Sequence, residues 1–130
     1  MDTFTILFVL SGVFAVTALL LLAFRGPVQG NWLLAAILGL GFAGLTIVTI
    51  AREGPLGFIP NHTQDLWGIQ VWYDLMIAVV IALVFILPRA KAAGMNTTLW
   101  VLAVAGTASF ALLPMVARLF WLEAHARKPA

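Results

Sequence analysis

The chain has 130 residues, of which 63% are hydrophobic and only 9% charged. An average soluble domain is nearer half apolar and a quarter charged, so a water-soluble fold of this composition would expose apolar surface it has no polar residues to cover. Seven Lys and Arg against five Asp and Glu leave a net charge of +2, with no basic stripe of the kind that binds nucleic acid, and the absence of cysteine excludes disulfides, thiolate metal sites and cysteine nucleophiles.

Four apolar runs follow one another, at about 4–24, 32–51, 67–87 and 97–120. A helix rises about 1.5 Å per residue, so roughly 20 residues cross a hydrocarbon core of about 30 Å. The expectation is an all-α protein, an antiparallel four-helix transmembrane bundle forming one integral membrane domain over 1–130. The first run lacks the basic start and small-residue cleavage site of a signal peptide, and reads as a retained helix closed by Arg25-Gly26-Pro27. Asn31 is placed to cap the second helix, which ends at Arg52-Glu53-Gly54-Pro55. The linker 52–66, with two prolines and two glycines around Leu56, Phe58 and Ile59, reads as a loop on the membrane interface. Asp65 caps the third helix, expected to stop at Pro88. The fourth starts near Asn96 or Thr97, with a bend expected at Pro114.

Trp and Tyr favour the headgroup level. In a four-span arrangement Trp32 and Trp100 anchor one side, and Trp67, Trp72, Tyr73 and Trp121 the other. The same arrangement puts Arg25, Arg89 and Lys91 on the side of the two short turns, and Arg52, Arg118, Arg127 and Lys128 opposite them with the acids. The first helix, with Asp2 before it and Arg25 after it, then favours both termini on the periplasmic side.

Gly39-Leu40-Gly41-Phe42-Ala43-Gly44 spells GxGxxG, but mid-span in an apolar helix it has neither the strand nor the sheet that a dinucleotide site needs. Ala35, Gly39 and Ala43 instead form a small-residue stripe that lets a neighbouring backbone approach. Ala103, Thr107 and Ala111 repeat the pattern on the fourth run, and Ser11 with Ala15 on the first. Asn61-His62-Thr63 and Asn96-Thr97-Thr98 match the glycosylation pattern and read as capping residues at helix starts. His62 and His125 both lie outside the spans, so the chain offers no intramembrane axial ligand and no metal site.

Asp74 is the one ionisable residue inside the first three runs. A carboxylate at that depth pairs, protonates or lines water. Arg118 ends the next helix on the same side, roughly six residues nearer water, or about 9 Å at 1.5 Å per residue. An arginine spans much of that gap, so an Asp74–Arg118 clasp between the third and fourth helices is expected, ahead of a hydrated interfacial Asp74 or a proton relay.

From Asp74 onward the chain resembles a family of small bacterial integral membrane proteins classed as a domain of unknown function. The residues carrying the likeness are Asp74-Leu75, the turn Pro88-Arg89-Ala90-Lys91-Ala92-Ala93-Gly94-Met95, Trp100, Leu113-Pro114 and Arg118. Pro88 stands where the family commonly has a glutamate. The resemblance implies a multi-pass protein of the bacterial inner membrane and supplies no activity. No nucleophile, base or metal set stands out, so the chain does not read as an enzyme. The expected role is a structural or accessory subunit of a larger membrane complex, photosynthetic or respiratory, with membrane lipids and other membrane subunits as partners. The alternative is a binder or carrier of lipid, quinone or carotenoid between the helices, and the third reading is a small proton-coupled transporter.

Overall fold

The computed structural model describes residues 2–26 and 28–127. Among these it contains six helices and no strand: α1 (Thr3–Arg25), α2 (Trp32–Glu53), α3 (Phe58–Thr63), α4 (Leu66–Ala92), α5 (Thr97–Thr107) and α6 (Ser109–Ala126). The chain divides into two compact units, Met1–Gly30 and Asn31–Ala130. Three helices, α1, α2 and α4, are long and apolar enough to cross a membrane. This identifies a membrane protein with an all-α fold; among the described residues three helices rather than four have spanning length, and the four-helix antiparallel bundle is not confirmed.

Unit one is α1, capped by Asp2, whose carboxylate accepts from Thr5 N at 2.8 Å and Thr5 Oγ1 at 2.9 Å. Those two donors, the backbone N–H first, hold the Asp2 carboxyl below its ordinary range. None of the residues of α1 is buried.

In unit two the capping residues anticipated from sequence act as such. Asn31 accepts from Leu33 N and Leu34 N, Asp65 from Gly68 N at 2.6 Å, and Asn96 from Leu99 N at 3.1 Å. The linker is not all loop. It contains α3, which folds back on the start of α4, with Phe58 stacked on Trp72 at 5.6 Å and His62 against the same indole at 5.4 Å. Asn61 lies inside α3 rather than capping a helix. Gly68 permits this close crossing: a Cβ there would stand 2.6 Å from the carbonyl oxygen of Asn61.

One proline expectation is corrected. Helix α4 does not stop at Pro88 but runs through it to Ala92. Pro88 forfeits one backbone hydrogen bond, and the stop comes where the carbonyls are recaptured. Gly94, at φ +79°, donates to Lys91 O at 3.0 Å, and Met95 donates to Ala90 O at 3.0 Å, while Met95 packs on the core beside Ala90. These paired bonds around a left-handed glycine make a Schellman motif. Pro114 lies inside α6, which does not end there. The interruption falls at Ala108, with φ 50° and ψ −122°.

That interruption overturns the fourth span. Helix α5 has 11 residues, a rise of about 16 Å, half of what a crossing needs. The chain then folds back: Val104 of α5 and Met115 of α6, which an unbroken helix would hold about 16 Å apart, share one core cluster with Ala90 and Ala111. Met115, Leu119 and Ala90 are fully buried. The 97–120 region is therefore a helical hairpin docked on α4, and its second arm returns to the end of α4 from which the first arm left. Val79, Leu83 and Ile86 of α4 pack against the cluster.

Helix α2 packs along α6, the broadest helix pair in the unit. Ala35 is buried there, Gly39 and Ala43 are half-buried, and Leu40 and Ile47 face outward. A Cβ on Gly39 would meet Leu113 Cβ at 3.4 Å and Pro114 Cδ at 3.9 Å, so the glycine sets how near the two helices come. The stripe Ala103–Thr107–Ala111 does not exist as one face, because the break at Ala108 divides it: Ala111 is buried, while Ala103 and Thr107 are exposed.

Candidate functional site

The hairpin base gathers the charged chemistry of unit two. Arg89, two residues beyond the apolar run ending at Leu87, forms a bidentate pair with Glu123 of α6: Nε donates to Oε1 at 3.0 Å and Nη2 to Oε2 at 2.7 Å. It is the only ion pair among the described residues. The guanidinium of Arg89 lies over Phe120, 5.6 Å from the ring centroid. Arg118 stands over Trp121 at 5.3 Å, and Trp121 in turn meets His125 in a tilted contact with ring centroids 4.1 Å apart. The turn carbons of Ala92 and Ala93 complete a shallow cavity of about 550 Å3 above the pair.

A clasp between α4 and the C-terminal helix therefore exists, but not the one expected. Asp74 and Arg118 form no ion pair, and both side chains are exposed. The reason is the fold-back at Ala108, which carries Arg118 and Glu123 to the Arg89 end of α4. Asp74 stays on the opposite half of that helix, in a groove of about 500 Å3 with Trp67, Gln70, Tyr73 and Ile77. An i,i+34 pairing between Arg89 and Glu123 has no signature in periodicity. The available hint was the bidentate chemistry that arginine favours with carboxylates.

The hydrogen bonds from Arg89 hold the Glu123 carboxyl below its ordinary range, burial opposing them, with smaller help from the charges of Arg89 and Arg127. A lowered folded value means the pair's contribution is complete above the unfolded glutamate range and is lost as pH falls through the folded value. The side chains are 51% and 25% exposed, so solvent screening keeps the pair modest. A double-mutant cycle of Arg89→Ala and Glu123→Ala should give a coupling of about 0.5–1 kcal/mol at pH 7 that vanishes in acid. Thermal melts of the four proteins at neutral and acid pH read it, and strict additivity at neutral pH would refute the clasp.

The other singled-out residues are dispersed. Trp32 and Trp67 are exposed, Trp72 is covered by α3, and Trp100 packs against the core rather than pointing outward. The ring Nδ1 of His62 lies 2.7 Å from Phe58 O, and that of His125 2.7 Å from Trp121 O. Among the described residues no group of three or more His, Asp or Glu side chains converges as a metal site.

No known protein family, curated protein or solved structure matches this chain. The site must be read from its own geometry.

That geometry includes a second groove, of about 650 Å3, between α4 and α5. Val84, Leu87 and Leu102 line its inner part, and Lys91, Thr97 and Thr98 the part next to the turn.

Proposed function

We propose that this protein is a small structural or accessory subunit of a larger membrane assembly. The observation that carries the reading is apolar helix surface bearing glycines with no use inside their own units. Gly12 of α1 and Gly41 and Gly44 of α2 would each accept a Cβ with nothing within 4 Å. A glycine inside a helix is about 1 kcal/mol less favourable than alanine, and in membranes the usual return is close approach of a second backbone. Gly39 shows that return within the unit, against Leu113. Gly12, Gly41 and Gly44 offer it to a helix from outside their own unit, which we assign to a partner subunit. The resemblance of the C-terminal half to small bacterial membrane proteins supports a bacterial inner membrane, and an energy-transducing complex, photosynthetic or respiratory, is the kind of assembly in which such subunits serve.

The C-terminal end belongs on the cytoplasmic side in this reading. The hairpin collects Arg89, Lys91, Arg118 and Arg127 at one end of unit two, with Arg52 at the far end of α2. A Lys and Arg excess marks the cytoplasmic face. This reverses the periplasmic C-terminus expected from four spans. The transporter reading loses ground, because Asp74 is exposed and joined by no second carboxylate, histidine or basic side chain in its groove.

The test is native-gel and mass analysis in mild detergent of protein taken from its own membrane. A discrete particle well above the 14.0 kDa of the chain is expected, and Gly12→Leu or Gly44→Leu should release the chain from it without changing its helical content. Migration of the unaltered protein as an isolated chain would overturn the proposal.

A further inference from the structure

We infer that the groove between α4 and α5 binds one anionic phospholipid from the surrounding bilayer, its headgroup at Lys91 and one acyl chain along Val84, Leu87 and Leu102. The site does not depend on the subunit reading. Its volume, about 650 Å3, falls in the range of built ligand pockets, and it opens sideways from two helices of apolar sequence. Polar groups occur at one end only, next to the turn, which is the polarity of a lipid lying parallel to the helices.

Charge selects the occupant. Arg89 is neutralised by Glu123, but Lys91 forms no ion pair among the described residues, and no acid lines the groove. Thr97 and Thr98 add uncommitted donors. The hydroxyls of Thr17, Thr46, Thr49, Thr63 and Thr107 each donate to a carbonyl one turn back, whereas those of Thr97 and Thr98 make no hydrogen bond among the described residues. An ammonium and two free hydroxyls beside an apolar channel suit a phosphodiester with an acyl tail. A zwitterionic choline headgroup would bring its own cation towards Lys91, and a quinone or carotenoid would leave the ammonium unused.

Native mass spectrometry of the full chain, titrated separately with phosphatidylglycerol and phosphatidylcholine, tests the assignment. A first phosphatidylglycerol should bind about fivefold more tightly than phosphatidylcholine, the preference expected of one lysine at an anionic headgroup. Lys91→Gln should remove the preference, Lys91→Arg should keep it, and Leu102→Trp, which fills the channel, should weaken both lipids. Arg52→Gln, at the far end of α2, should leave the preference intact. Equal binding of the two lipids by the unaltered protein, a preference surviving Lys91→Gln, or one lost equally in Arg52→Gln would overturn the site. So would displacement of the lipid by inorganic phosphate, which would indicate a site for a free anion. Circular dichroism of each variant confirms that it is folded.

Discussion

Residues 93 and 126 are expected to face the same side of the membrane. The chain has no cysteine, so Ala93→Cys and Ala126→Cys each supply a single thiol in an otherwise unreactive protein. A membrane-impermeant maleimide should label both from one side and neither from the other. The expectation follows from lengths and one pairing. Helix α5 rises about 16 Å before the chain breaks, too little to cross, and α6 brings Glu123 back to Arg89. If the region 97–120 were one straight span, the two thiols would label from opposite sides. The effect is complete rather than graded, which makes it the sharpest measurement on this fold. Labelling of residue 126 from the side opposite residue 93 would refute the hairpin.

Ala108→Gly should stabilise the protein by about 1 kcal/mol, read as a higher melting temperature or a higher midpoint in denaturing detergent. The backbone at Ala108, φ 50° and ψ −122°, belongs to a region that only glycine enters freely. A Cβ there costs energy that the fold must offset elsewhere. The offset is visible around the break: Ala108 N donates to Val104 O at 2.7 Å, Leu112 N to Ala108 O at 3.0 Å, and Thr107 Oγ1 to Ala103 O at 2.7 Å. These bonds satisfy part of the irregular backbone; at membrane depth an unpaired group costs several kcal/mol. The sign of the change is the diagnostic. In a continuous helix the same substitution would destabilise by about 1 kcal/mol. Ala108→Val should act in the opposite direction to glycine, because a β-branched side chain tolerates positive φ worst. A loss of stability on Ala108→Gly would sink the hairpin independently of the labelling result.

Much of the local structure was legible in the residues. Asn31, Asp65 and Asn96 precede apolar runs and cap the helices that follow, because a short oxygen-bearing side chain satisfies the first free N–H groups wherever it stands. The spacing of Ala35, Gly39 and Ala43 marked the face that α2 turns inward, because only small residues permit that approach. The candidate site was legible only as a kind of chemistry. An arginine clasping a carboxylate between two helices was foreseeable, but the partners were not. Pro88 misled, since it lies within a helix, and the break in the last apolar run falls instead at an alanine. Ala108 carries no turn signature, and nothing in its neighbours' side chains forbids a helix.

Composition and hydropathy alone thus settle that the protein is helical and membrane-embedded, because twenty apolar residues in a row can satisfy their backbone in lipid only as a helix. They do not settle direction. Hydropathy sums along the chain without regard to geometry, so a run that crosses and a run that folds back at its midpoint have the same total. Tertiary packing decided between them here: Val104, Ala111 and Met115 close on Ala90, and the core they form exists only if the chain reverses at Ala108. That reversal, rather than any local preference, pairs Arg89 with Glu123, leaves Asp74 without a cation and opens the groove beside Lys91.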